Sequence, residues 1–147
     1  MKQLNVIGRI DKADFPELSL LDISIKIDTG AYTSSIHSHD IKEFEVDGEK
    51  ILEFEILDPS HDQFKKKLFR TKKYKVKSVK SSNGEAEERF FVDTNVILFG
   101  DEFPIQLSLT DRSKMKHPIL IGRRFLNKKF LVNTVLKDVS YNQKNTK

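Results

Sequence analysis

Residues 25–31 read Ile25-Lys26-Ile27-Asp28-Thr29-Gly30-Ala31, and residues 119–123 read Ile119-Leu120-Ile121-Gly122-Arg123. The first stretch has apolar residues at alternate positions, which is typical of a half-buried strand, and it runs into a carboxylate on a glycine turn. The second stretch is an apolar strand that ends in Gly-Arg and can pack beneath that turn. Together they predict a rigid loop that presents Asp28.

The residues of this loop have separate expected roles. A carboxylate used as a general base must be exposed to substrate and rigidly held, and a junction between strand and turn gives Asp28 both properties. Gly30 allows a tight turn that aims backbone amides at Asp28, and Ala31 continues the turn. Thr29 offers a hydroxyl that can lock the loop, either locally or against the same loop of a second chain. Gly122 lets the supporting strand pack closely.

Asp-Thr-Gly on its own is also ordinary turn chemistry. Its position after an Ile-x-Ile strand, and the Gly-Arg strand downstream, favour the catalytic interpretation. Two such aspartates brought together cannot both ionise easily, so a pair holds a shared proton, as peptide hydrolysis through an activated water requires. The chain has one copy of the pattern and therefore supplies half of such a pair.

The composition fits one globular domain of 147 residues, with 37% apolar and 33% charged residues. Because cysteine is absent, disulfides, cysteine nucleophiles and thiolate metal sites are excluded. No apolar stretch reaches the length of a membrane span, and residues 1–5 do not resemble a signal peptide. We expect a cytoplasmic protein without membrane partners, with a domain over residues 1–139 and a flexible polar tail over 140–147.

Charge is distributed unevenly along the middle of the chain. Eight acids lie between residues 40 and 58, namely Asp40, Glu43, Glu45, Asp47, Glu49, Glu53, Glu55 and Asp58. Nine bases and no acid lie between residues 65 and 80, namely Lys65, Lys66, Lys67, Arg70, Lys72, Lys73, Lys75, Lys77 and Lys80. The basic block can attract acidic peptide or nucleic acid. It is equally typical of a solvated edge strand that pairs with acids such as Glu53 and Glu55.

β patterning dominates the rest of the chain. Asp47-Gly48 and Asn83-Gly84 each separate two strand patterns and predict two hairpins. Further strands are predicted at residues 5–7, 18–27, 95–99, 103–109, 119–121 and 130–135. One or two helical turns are predicted after Gly122. The sequence therefore predicts an all-β protein, a closed and mostly antiparallel β-barrel with one short helix.

These motifs resemble those of a known family. Asp28–Ala31 with Ile119–Leu126 is similar to the retropepsins, the aspartic peptidases of retroviruses. Further blocks resemble a bacterial and archaeal family of retropepsin-like proteins, namely Ile7–Arg9, Lys26–Ala31, Ser34–His37, Leu107–Arg112 and Met115–Arg123. That family has often carried the label "ATP-dependent zinc protease" and is frequently associated with ATP-grasp glutamate ligases. The resemblance extends from about Asn5 to Asn133.

The resemblance implies an aspartic endopeptidase that works as a homodimer, without a cofactor, on a peptide or protein substrate. Each chain would give Asp28 to the catalytic pair, and acidic, glutamyl-extended peptides are candidate substrates. A mobile hairpin, the flap, would close over the substrate, with its tip at Ser81, Ser82, Asn83, Gly84 and Glu85; an exposed hairpin without a role remains open. Retroviral enzymes carry an acid that pairs with the arginine of Gly-Arg. Here Tyr32 stands in its place, so Arg123 needs another partner.

Two other functions remain open. One is a non-catalytic barrel that binds acidic peptide or nucleic acid through the Lys65–Lys80 face, although nucleic acid is not the partner we expect. The other is a zinc-dependent hydrolase, because His37 and His39 would share one face of a strand. No His-Glu-x-x-His motif is present, and His61 and His117 are isolated. Exposed turn histidines explain these residues more simply, so no metal site is predicted.

Asp111 is a weaker candidate. It lies in Thr110-Asp111-Arg112, where it is either a turn carboxylate paired with an arginine or a residue of the site.

Overall fold

The computed structural model describes residues 4–80, 84–111 and 116–145. These residues form eleven strands, two short α-helices and a 3-10 turn at Pro16–Leu18. The strands are β1 (Asn5–Ile7), β2 (Ile10–Phe15), β3 (Leu20–Ile27), β4 (Ser34–Val46), β5 (Glu49–Ile56), β6 (Phe69–Thr71), β7 (Tyr74–Lys80), β8 (Ala86–Leu98), β9 (Asp101–Thr110), β10 (Ile119–Ile121) and β11 (Phe130–Val132). The helices are α1 (Arg123–Leu126) and α2 (Val139–Lys144).

Six strands pair in a closed ring, in the order β10, β3, β2, β8, β9 and β4, with β4 returning to β10. The all-β prediction is confirmed, and so is the short helix after Gly122. Four pairs of the ring are antiparallel, in agreement with the prediction of a mostly antiparallel arrangement. The other two pairs, β10 with β3 and β4 with β9, are parallel. Parallel neighbours cannot be joined by a tight hairpin, so these strands come from distant parts of the chain.

The remaining strands extend this ring. β5 pairs with β4 and β6 pairs with β5, while β7 pairs with the first half of β8. β1 and β11 form a separate parallel pair. The hairpin predicted at Asp47-Gly48 joins β4 and β5, and both turn residues have positive φ angles of 52° and 80°, as a type I′ turn requires. The second predicted hairpin joins β7 and β8.

The core lies inside the ring. Ile23, Ile25 and Ile27 of β3 point inward and are buried, and all three residues of β10 are buried as well. Because β10 is covered on both faces, it is apolar throughout, whereas β3 alternates. The loop that follows β3 is therefore built on rigid strands.

The polar tail predicted to be flexible from residue 140 on is instead helical over Val139–Lys144. Asp11 of β2 is fully buried, and its carboxylate accepts hydrogen bonds from the backbone N–H groups of Ser140 (2.9 Å) and Tyr141 (3.1 Å). Burial raises the pKa of the Asp11 carboxyl, and these donors oppose the rise. The sequence of the tail is polar, but a partner about 130 residues earlier orders it. Within the described ranges, no helix is long and apolar enough to cross a membrane.

Candidate active site

The loop after β3 holds Asp28 by its backbone and its side chain. The Asp28 N–H donates a hydrogen bond to the carbonyl oxygen of Ile121 in β10 (2.9 Å). The Gly30 N–H donates to Asp28 Oδ1 (2.9 Å), and the Ala31 N–H donates to the Asp28 carbonyl oxygen (3.2 Å). Asp28 is half-buried and Thr29 is exposed. The loop therefore fixes one carboxylate oxygen while the residue stays accessible.

Gly30 and Gly122 matter here for the space they leave. A Cβ atom on Gly122 would lie 2.6 Å from the carbonyl oxygen of Tyr32 and 2.7 Å from that of Thr33. A Cβ atom on Gly30 would lie 3.2 Å from Asp28 Oδ1. Neither residue is among those with a positive φ angle. Both glycines therefore permit close contact, and neither supplies a left-handed turn.

Ser34 is a supporting residue whose role the sequence analysis did not identify. Its buried hydroxyl oxygen accepts a hydrogen bond from the Gly122 N–H (3.0 Å). This bond ties the start of β4 to the end of β10, directly beneath the Asp28 loop. The sequence carried no signal for this role, because the partner of Ser34 lies 88 residues away.

Arg123 finds a partner inside its own chain. Its guanidinium Nη1 donates to the carbonyl oxygen of Thr29 (2.9 Å), and its guanidinium carbon Cζ lies over the ring of Tyr32, 5.7 Å from the ring centre. Its backbone N–H donates to the carbonyl oxygen of Ala31 (2.8 Å). The aromatic ring and the loop carbonyl thus take the place of the missing acid, since a guanidinium can stack on a ring as well as donate.

The candidate flap is described only in part. Ser81, Ser82 and Asn83 lie outside the described residues. Gly84 has a φ of +85°, and Glu85 is exposed. The hairpin itself is present, with Lys80 opposite Ala86, but its role as a flap stays a prediction.

A second group of polar residues lies around His37. His37 and His39 were expected in an exposed turn, but both lie in β4, and His37 is 4% exposed. The His37 Nε2 atom is 3.0 Å from Asp58 Oδ2, and its Nδ1 atom is 3.6 Å from Asp111 Oδ1. Hydrogen bonds from the Ser60 hydroxyl and N–H, with the nearby His37, lower the pKa of Asp58. Asp111 therefore faces a histidine; Arg112 lies outside the described residues.

His39 belongs to a different cluster, with Asp40 and Glu55. One ligand atom of each residue lies within 4.8 Å of the others. Contact with the Glu55 carboxyl and then with the His39 ring lowers the pKa of Asp40. The sequence did not bring Glu55 to this histidine, because Glu55 faces His39 only through the register in which β4 and β5 pair.

His61 and His117 have other neighbours. The Gln63 N–H donates to His61 Nδ1 (3.0 Å), and the Ser24 hydroxyl lies 3.1 Å from His117 Nδ1. The structure brings neither residue into the cluster around His39.

The basic block is partly neutralised by the acidic hairpin. Arg70 of β6 lies opposite Glu53 of β5, and its Nε atom is 2.8 Å from Glu53 Oε2. Lys72 pairs with Glu49. The side chains of six other described bases of the block are exposed, namely Lys65, Lys66, Lys67, Lys73, Lys75 and Lys77. The pairing predicted with Glu53 is therefore present, and a positively charged surface remains.

Comparison with known proteins identifies relatives over nearly the whole chain. The model of the RimB-like family, which is described as the retropepsin-like aspartic endopeptidase RimB, matches residues 6–143. A protein named probable alpha-L-glutamate ligase from Shewanella pealeana is 35% identical over 130 residues, which is 87% of this chain. A protein of the same name from Desulfotalea psychrophila is 31% identical over 134 residues, or 90% of this chain. In both cases the match spans 28% of the relative's length.

A similar fold has also been solved. The crystal structure of a Legionella pneumophila protein of unknown function superimposes with a TM-score of 0.73 at 27% sequence identity. The superposition covers 94% of this chain and 99% of that one. The all-β architecture is therefore shared with a solved structure.

Proposed function

Because the chain belongs to the RimB-like family of retropepsin-like aspartic endopeptidases, we propose that it hydrolyses peptide bonds as a homodimer with one Asp28 from each chain. The observation that supports this most directly is the geometry of the Asp28 loop. One carboxylate oxygen is fixed by the Gly30 N–H, the backbone is bonded to β10, and the residue remains accessible. A general base needs this combination of rigidity and access.

The proposed mechanism uses two Asp28 carboxyls that share one proton. The ionised carboxylate takes a proton from a water molecule as the water oxygen attacks the peptide carbonyl carbon. The protonated carboxyl gives its proton to the carbonyl oxygen, so a neutral tetrahedral diol forms. The newly protonated carboxyl then gives its proton to the amide nitrogen, and the other, now ionised, carboxylate takes a proton from one hydroxyl of the diol. The C=O bond reforms as the C–N bond breaks, which releases an amine and a carboxylic acid and leaves one proton shared by the two carboxyls.

A second copy would meet the first around this loop. Thr29 and Tyr32 are exposed, with Tyr32 at 55%, and both lie beside Asp28. The guanidinium of Arg123 is bonded within its own chain, so it stiffens this surface from behind. We therefore place the twofold contact at Thr29 and Tyr32 of both chains.

Acidic peptides, including glutamyl-extended ones, are the substrates we propose. The curated relatives are named probable alpha-L-glutamate ligases, and this chain matches about a quarter of their length. Lys75 and Lys77 are exposed on β7, one strand of the candidate flap hairpin. Positive charge on a hairpin that closes over the substrate would attract carboxylates.

The variant Asp28→Asn tests the mechanism. We expect it to lower the cleavage rate by about 10²–10⁴-fold, because an amide cannot take a proton from water. Asp62→Asn is the matched control, since the Asp62 side chain is fully exposed (100%) and the same atoms change. The assay would use a synthetic peptide with an oligoglutamate tail and an otherwise identical peptide with an oligoglutamine tail, analysed by mass spectrometry.

The outcomes separate mechanism from specificity. If both peptides are cleaved at equal rates and Asp28→Asn abolishes this cleavage, the proposed peptidase mechanism is kept and the proposed preference for acidic substrates is wrong. Cleavage by Asp28→Asn at the rate of the unmodified protein would show that the mechanism is wrong.

A further inference from the structure

We propose that His39, Asp40 and Glu55 form a binding site for one divalent transition-metal cation, of the zinc type, on the β4–β5 hairpin. The proposal does not depend on the peptidase mechanism, because none of the three residues takes part in the Asp28 loop. The site would cross-link two strands and would not supply the reacting water.

The two distances from the His39 ring to the carboxylates fit a four-coordinate cation. His39 Nδ1 lies 3.1 Å from Asp40 Oδ2 and 3.5 Å from Glu55 Oε2. Tetrahedral zinc with bonds of about 2.0–2.1 Å to nitrogen and oxygen places neighbouring ligand atoms about 3.3 Å apart. Imidazole nitrogen and carboxylate oxygen are both zinc ligands, and a water can complete the coordination.

The hydrogen bond of the second ring nitrogen of His39, Nε2, gives an independent reason to expect a cation at Nδ1. His39 Nε2 lies 2.8 Å from the carbonyl oxygen of Leu57, which can only accept a hydrogen bond. Nε2 therefore carries a hydrogen, and in a neutral ring Nδ1 presents its lone pair to two carboxylates. That contact is repulsive unless a cation lies between the three atoms, the ring gains a second proton or one of the carboxyls is protonated. Histidines that bind metals usually donate their other N–H to a carbonyl in this way.

A bulge in β4 brings the ligands together. Side chains of consecutive strand residues normally point to opposite faces. Here Asp40 has a positive φ of 52°, and the pairing with β5 shifts register between His39 and Lys42. The bulge turns Asp40 toward the same side as His39, while Glu55 lies directly opposite His39 on β5.

The surroundings leave room for a solvent ligand. Asp40 and Glu55 line a cavity of about 480 Å³, which Lys42 and Lys66 also border. These lysines reduce the negative charge at the site. A protonated His39 held by the two carboxylates is therefore the competing arrangement, and the experiment must distinguish it from a bound cation.

Zinc binding to the chelator-treated, dialysed protein is the test, measured by isothermal titration calorimetry with zinc chloride at neutral pH. We expect one zinc ion per chain. Glu55→Gln and His39→Gln should each weaken the affinity by at least about tenfold, because each removes a ligand. Glu53→Gln is the matched control, since it removes the same charge from the same face of β5 and borders the same cavity.

Two results of the titration would overturn the proposal. One is the absence of saturable zinc binding near one ion per chain, and the other is unchanged zinc affinity in both ligand variants. Nitrogen NMR that shows both ring nitrogens of His39 protonated at neutral pH with zinc present would establish the ion pair instead. Asp28→Asn should bind zinc as the unmodified protein does, and loss of binding there would place the ion at Asp28. Circular dichroism would show whether each variant is folded. If His39→Gln does not fold, the zinc affinity of Glu55→Gln alone tests the proposal.

Discussion

At the scale of single residues, Gly122 explains how the candidate site is assembled. Its missing side chain lets β10 approach the carbonyl oxygens of Tyr32 and Thr33, and its N–H reaches the Ser34 hydroxyl. Any Cβ at this position would meet backbone atoms, which cannot move aside as a side chain can. The residue therefore sets the distance between the loop that carries Asp28 and the strand that supports it.

Tyr74 gives a prediction about pH. Its hydroxyl donates a hydrogen bond to Glu43 Oε2 (2.6 Å), and desolvation with this carboxylate raises the pKa of Tyr74 to about 12. The fold therefore favours the protonated phenol. The protonated Tyr74 side chain makes its full contribution to stability below the ordinary tyrosine pKa of about 10. This contribution is lost as the pH rises from about 10 to about 12.

Ultraviolet titration of tyrosinate checks this expectation. Of the three tyrosines, Tyr74 should give a transition near pH 12. Tyr74→Phe should remove this late transition, whereas Tyr141→Phe, the control, should leave it. Absence of a late transition in the unmodified protein would contradict the hydrogen bond to Glu43.

Residues with local partners could be predicted from the sequence, and residues with distant partners could not. Asp28 and Gly30 lie in one turn, so their contact follows from the tripeptide itself. The contact of Ser34 with Gly122, and that of Glu55 with His39, depend on which strands pair and in which register. A single sequence does not contain that information.

The same distinction holds for whole strands. The hairpins at Asp47-Gly48 and between β7 and β8 were predicted because their turns are encoded locally. The parallel pairs were not, since the strands of each pair are far apart in the chain. Strand β2 (Ile10–Phe15) was missed as well. Its charged residues mask the alternation, and one of them, Asp11, is buried for a structural reason.

Helix α2 depends on Asp11, which gives a prediction about stability. The carboxylate satisfies the N–H groups of Ser140 and Tyr141, which the first turn of a helix leaves without partners inside the helix. Asp11→Asn replaces one acceptor by an NH₂ group that faces a donor. We expect it to lower the free energy of unfolding by about 1–3 kcal/mol. Urea denaturation measures the change, and amide hydrogen exchange at residues 140 and 141 should become faster.

Asp138→Asn is the matched control for Asp11→Asn. Asp138 precedes the same helix, makes no side-chain capping hydrogen bond and has a left-handed conformation that asparagine tolerates. It should change the free energy of unfolding by less than about 0.5 kcal/mol. Equal losses in the two variants would mean that charge near the helix matters and that the Asp11 hydrogen bonds do not.

At the scale of the whole molecule, opposite charges are sorted between neighbouring strands. Glu53 and Glu49 of β5 neutralise Arg70 and Lys72, so the acidic and basic blocks partly cancel within one sheet. The exposed lysines of residues 65–67, of residue 73 and of β7 carry the remaining positive charge toward an acidic partner. Attraction by this surface should weaken as salt is added, because exposed charges are screened.

The proposed homodimer gives the last prediction. If the active unit needs Asp28 from both chains, a dimer with one Asp28→Asn chain is inactive. Random mixing of a fixed amount of unmodified protein with an equal amount of Asp28→Asn should then lower total activity to about half, because mixed dimers form at the expense of active ones. Independent active chains would lose nothing on mixing. Adding Asp62→Asn instead should raise activity, and activity that is unchanged after prolonged mixing with Asp28→Asn would contradict a site shared between two chains.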